Sequence, residues 1–329
     1  MNSPSRPVAF TGYLDLASAV LGGKALEASD EFFNAKDNLI LPGHPVYHPD
    51  TYTDRGQWMD GWETRRRRTQ GLDWCVIQLG LPGVIHGVDI DTSFFEGNSP
   101  AYASVEARRG DDGHWEELLP RSPLQPGGQN LFAVPDRNVW THVRLNIFPD
   151  GGVARFRVYG QVSVNWPAMP ADALIDLASV VYGGQAIACS DMFFSSMTNL
   201  ILPGKAAHAG EGWETKRRRG PGYDWAIIKL GRPGVVQRVD VDTTHFKGNY
   251  PEMCSLDACL APDEPIDALT WPEVEWINLV PKTPLGPDAC HSFTGEALKS
   301  IGPVSHVKLN IFPDGGISRL RVFGVIAPA

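Results

Sequence analysis

Gly61–Arg68 reads GWETRRRR, and Gly212–Arg219 reads GWETKRRR. Each run places one glutamate just ahead of four basic side chains. A guanidinium is a planar fork that grips a carboxylate through two parallel hydrogen bonds. A glutamate beside it can carry a proton. On a strand, successive side chains face opposite ways. Arg66 and Arg68 would then share one face, and Glu63, Arg65 and Arg67 the other. One set can be held by structural carboxylates while the other faces a cleft. Lys216 stands at the Arg65 position, so that position accepts a point charge. The next three remain arginine in both runs, as Arg66, Arg67 and Arg68 and as Arg217, Arg218 and Arg219. The competing reading is a solvated edge strand blunted by charge. A polyanion site is disfavoured: the formal net charge is −9, whereas nucleic-acid-binding domains are usually basic. The cationic site is local and suits a small anion.

The second run marks a tandem duplication. DLAS recurs at Asp15 and Asp176, NLILPG at Asn38 and Asn199, and LNIFPDGG at Leu145 and Leu309. Asp73–Pro100 and Asp224–Pro251 align without a gap, and 16 of their 28 positions are identical. The first copy carries ten extra residues between Gly43 and Gly61, and the second ten extra before Trp276, around APDEPIDALTWP. Such insertions suit surface loops. The 329 residues are long enough for two domains, and the copies predict units at 1–165 and 166–329, joined near Pro167 and Pro170. A solenoid is excluded because its repeats are far shorter.

The elements that must position the arginines are strands. WCVIQLG and WAIIKLG are short apolar runs bounded by Gly-Pro, and ARFRVYG and SRLRVFG alternate. Alternation over a few residues predicts half-buried strands, and PDGG at Pro149 and Pro313 predicts a turn between strands. ALEASDEFF and AIACSDMFF predict short helical turns capped by Ser29 and Ser190. No long amphipathic helix is evident. Each copy therefore reads as an antiparallel β-sandwich, a jelly roll.

Identical polar positions in the two copies extend the candidate list. They include Glu63/Glu214, Asp91/Asp242, Asn98/Asn249, Asn146/Asn310 and Asp150/Asp314. The Asp before Gly-Gly is ordinary turn chemistry. His245 replaces Phe94, so the two pockets are not equivalent. His44 and His48 accompany Asp50 and Asp54, but Pro45 and Pro49 bar a regular helix there, and the metal signal is weak. His142 and His306 read as structural. No GxSxG, HExxH, Walker or GxGxxG context is found, which leaves serine-nucleophile, zinc-protease and nucleotide readings without support. Five cysteines without a CxxC argue against a disulfide framework and for a reducing, cytoplasmic compartment. The first residues lack a secretory pattern, and no stretch reaches the length of a membrane span.

GWETRRRR, DWxxIxLGxPG, VDIDTSFFEGNSP and LNIFPDGG, all duplicated, resemble the allantoicase (allantoate amidinohydrolase) family over nearly the whole chain. More distantly, each copy is similar to discoidin-type, galactose-binding-like sandwiches. The resemblance implies two jelly-roll repeats, a homo-oligomer, and hydrolysis of allantoate to ureidoglycolate and urea in purine breakdown. A divalent metal is left open, with no clear ligand set. Such a substrate makes the arginines (Arg66–Arg68, Arg217–Arg219) carboxylate binders and Asn98 and Asn249 ureido binders. Glu63, Glu214, Asp91, Asp242 and His245 become candidates for proton transfer. A non-catalytic pair of discoidin-like modules binding a sugar or small anion is the alternative. Which copy works, or whether a composite site lies between them, stays open at this level.

Overall fold

The computed structural model describes residues 9–262 and 274–327. The insertion before Trp276 falls largely on residues 263–273, outside the described residues. The chain divides into two compact units between Ser163 and Val164. Both units are all-β, with 3-10 turns such as Lys36–Ile40 and Met197–Ile201 and no α-helix among the described residues.

In the first unit the strand order is Leu14–Asp15, Arg155–Val162, Asp73–Asp91, Val139–Phe148, Tyr102–Arg108, Glu116–Pro123. Lys24–Ala28 and Leu131–Ala133 also pair with Asp73–Asp91. The second unit repeats this order with Asp224–Asp242 as its long strand. The Gly-Pro sequence does not end the strand as expected. Asp73–Asp91 runs through Leu81-Pro82-Gly83, and the register shifts there instead. Its first part pairs with Val139–Phe148 and Lys24–Ala28, its last part with Arg155–Val162 and Leu131–Ala133. One strand thus serves both layers of the sandwich. A Cβ on Gly80 would lie 2.5 Å from the Leu21 carbonyl oxygen, so only glycine lets the strand pass. Between the layers sit Trp62, Ile77, Val88, Ile90, Trp140, Leu145 and Phe156, all buried.

The predicted helical turns are absent. Lys24–Ala28 and Gln185–Cys189 are strands. Ser29 instead accepts from the Trp74 amide and donates to Asp73, each at 2.9 Å. Ser190 does the same with Trp225 and Asp224. Sheet pairing with the long strand outweighs the local capping signal.

Candidate active site

Each residue of Gly-Trp-Glu-Thr has a distinct task. Gly61 is forced by close approach, since a Cβ would lie 2.6 Å from the Val153 carbonyl oxygen. Trp62 and Trp213 are fully buried and donate their indole N–H to the Asp30 and Asp191 carbonyls, each at 2.8 Å. Trp62–Glu63 pairs with Gly152–Val153, and Trp213–Glu214 with Gly316–Ile317. Thr64 closes the unit by exchanging backbone and hydroxyl hydrogen bonds with Gly151, as Thr215 does with Gly315. Replacing Trp62 or Trp213 by Ala is expected to cost about 3–5 kcal/mol of stability, read from denaturant unfolding. A loss below about 1 kcal/mol would show that these indoles do not anchor the motif.

The arginines follow this short ribbon as irregular chain, because the strand ends at Glu63 or Glu214. Their alternation nevertheless arises, through specific carboxylates. Arg65 is bound by Asp30, with its Nε 2.7 Å from Oδ2, and Lys216 lies 3.4 Å from Asp191. Partial burial pushes the Asp30 carboxyl up. The Arg65 and Phe32 amides and the Arg65 guanidinium outweigh it and hold Asp30 below the usual range. Arg67 Nε donates to buried Asp73 at 3.2 Å, and Arg218 pairs with buried Asp224. The Arg67 amide donates to Asp150 at 2.7 Å and that of Arg218 to Asp314 at 2.9 Å. The PDGG aspartates therefore fix the arginine backbone, beyond their place in a turn. Arg66, Arg68, Arg217 and Arg219 are exposed, with no ion pair among the described residues.

Glu63 and Glu214 stand at the base of this cradle. Asn98 donates to Glu63 at 2.7 Å, and Asn249 to Glu214 at 2.6 Å. Burial pushes the Glu63 carboxyl up, while hydrogen bonds from Asn98 and Asn34 pull it down. In the second unit, Glu214, Arg217, Arg218, Arg219 and Asn249 line a cavity of about 820 Å³ together with Glu252.

The remaining candidates are placed elsewhere. Asp91 and Asp242 end their long strands and accept amide hydrogen bonds from Ser93 and Thr244, each at 2.8 Å. Asp91 lines a separate recess with Asp89, Arg157 and Tyr159. Neither Asp242 nor His245 borders the arginine cavity. His245 is 2.9 Å from the Ala206 carbonyl oxygen, and its backbone φ is +73°. Phe94 has the same left-handed backbone and stacks on Tyr47 from the longer first-copy loop. The Phe-to-His change thus follows the loop length. His142 and His306 are buried, and burial pushes His306 down to about 4. Asn146 and Asn310 bond to Glu106 and Asp257. Among the described residues no group of three or more His, Cys, Asp or Glu side chains is placed to hold a metal. The donor set of the described residues does not fit a resident metal.

The model for the allantoicase repeat matches residues 14–163 and again 175–327. The chain belongs to the allantoicase family. It is 49% identical to a probable allantoicase of Photobacterium profundum, over 96% of this chain and 97% of that protein. It is 46% identical to a probable allantoicase of Burkholderia mallei, over 99% of this chain and 98% of the other. A Saccharomyces cerevisiae allantoicase crystal structure superposes with a TM-score of 0.82 at 37% identity, covering 98% of both chains. The shared family makes an architecture of two jelly-roll repeats common to these proteins.

Proposed function

We infer that the chain hydrolyses allantoate to ureidoglycolate and urea, and that the second-repeat cavity is where it does so. One observation carries the placement: two guanidinium groups with no ion pair among the described residues, Arg217 and Arg219, share that cavity with Glu214 and Asn249. Arg217 and Arg219 grip the substrate carboxylate as a fork. Glu214, Glu252 and Asn249 face the two ureido groups, which offer N–H donors and carbonyl acceptors. Arg218, neutralised by Asp224, positions its neighbours and supplies less free charge.

Urea release from allantoate by the purified chain tests the reading. Production of urea and ureidoglycolate in equal amounts is expected. Tight binding without turnover would point instead to a small-anion-binding module. No helix among the described residues is long and apolar enough to cross a membrane. The five cysteines are all free, which supports a reducing compartment, the cytoplasm. Association into a homo-oligomer rests on the family resemblance and is read by light scattering.

A further inference from the structure

Ser195 and Glu214 form an isolated antiparallel bridge, as Asn34 and Glu63 do in the first repeat. The two pairs hold the same place in their repeats, but their side chains differ in reach. In the first repeat Asn34 donates to Glu63 Oε2 at 3.1 Å and Asn98 to Oε1 at 2.7 Å. Both carboxylate oxygens are engaged by amides. In the second repeat Asn249 donates to Glu214 Oε1 at 2.6 Å. Among the described residues nothing donates to Oε2. The shorter Ser195 carries no amide to supply that bond, and its buried Oγ has no partner.

Other differences fall on the same rim. Glu252 lines the second-repeat cavity where the first repeat has Ala101. The first-repeat insertion forms the hairpin Tyr52–Thr53 with Gly56–Gln57. From its turn Arg55 donates to the Phe32 carbonyl at 2.8 Å and lies 5.2 Å from the Phe32 ring centre. Among the described residues the second repeat has no counterpart to this hairpin, and Phe193 and Phe194 are 69% and 63% exposed, against 39% for Phe32. The first-repeat rim is held down, and the second stands open.

We propose that the second repeat alone performs the chemistry, and that Ser195 is the positioning residue that permits it, by leaving Glu214 Oε2 free to exchange a proton with substrate. This rests on the allantoate reading above. Protonated Glu214 gives its proton to the nitrogen of the departing ureido group. The C–N bond breaks, its electron pair stays on that nitrogen, and urea leaves. The lone pair of the remaining ureido nitrogen forms a C=N bond. Water then adds to the carbon, that electron pair returns to nitrogen, and the proton lost by water restores Glu214. The sum is allantoate plus water giving urea plus ureidoglycolate. The first-repeat cradle is a framework copy whose glutamate is held by two amides.

The test exchanges the two residues in the full chain and follows urea release. Ser195→Asn gives the second repeat the side chain the first already accommodates. It should lower kcat about tenfold or more, a modest share of the usual acid–base contribution, while KM, set by the arginines, moves less than about threefold. Asn34→Ser should leave both constants unchanged. An unchanged kcat in Ser195→Asn, or a lowered kcat in Asn34→Ser, would overturn the proposal. If Ser195→Asn melts well below wild type, Glu252→Ala decides, since alanine is the first repeat's own residue there. A tenfold fall in kcat/KM supports the second repeat, and no change overturns it. A wild-type chain that releases no urea would remove the assigned reaction itself, whereas an active wild type isolates the role of Ser195.

Discussion

Glu214→Gln is expected to lower kcat for urea release by about 10²–10⁴-fold, the range of a lost general acid or base, with KM within a few-fold of wild type. Departing urea needs a proton on its nitrogen, and attacking water must lose one. Glu214 lies in the arginine cavity with one oxygen tied to Asn249 and the other without a partner among the described residues. Glutamine keeps the shape and an acceptor for the Asn249 amide, yet carries no titratable proton. The arginines are untouched, so binding should persist. The split between kcat and KM matters, because a merely structural glutamate would damage both or alter stability alone. A variant with kcat within about threefold of wild type would remove Glu214 from proton transfer. Unfolding transitions matched between variant and wild type would show that the loss is chemical.

The architecture was legible because duplication makes a sequence its own comparison. Apolar identities such as Leu79/Leu230 and Val88/Val239 mark a shared core, and the alternating runs mark strands. The long strand was not legible. Gly-Pro usually punctuates, and only the packing of Gly80 against Leu21 reveals that the chain is passing between layers. The Ser29 and Ser190 caps failed for a related reason, as long-range pairing with that strand replaced the local turn.

The site was half legible. The structure pairs Arg65 and Arg67 with aspartates and leaves Arg66 and Arg68 exposed, though no strand carries them. What divides them is a set of aspartates far away in sequence, Asp30, Asp73 and Asp150, whose duplication as Asp191, Asp224 and Asp314 was the available signal. Turn chemistry explained Asp150 well enough to hide its bond to the Arg67 amide. Asp91 and Asp242 were drawn in by identity alone, and identity also marks residues that close a strand. Ser195 could not stand out, because it differs from Asn34, and a search for shared polar positions passes over differences.

Replacing Arg217 and Arg219 together by Ala should raise KM for allantoate by about 30-fold to several thousand-fold. Losing a charged, hydrogen-bonded partner costs on the order of 2–5 kcal/mol of binding, and each 1.4 kcal/mol is about tenfold. Among the described residues these two guanidiniums of the second cavity have no ion pair, whereas Arg218 is engaged by Asp224 and Lys216 by Asp191. Arg218→Ala would strand a buried Asp224 and mix stability with binding, so it is a poorer probe. The single variants apportion the effect through a double-mutant cycle, since neighbouring sites need not add. Lysine at both positions should recover only part of the loss, as a point charge cannot replace the fork. An exposed pair is also screened, so wild-type KM should rise with salt while the double variant loses that dependence. A KM that neither mutation nor salt moves would mean that the second arginine run only decorates the surface. Substrate capture would then have to be sought at the matching exposed pair of the first repeat, Arg66 and Arg68.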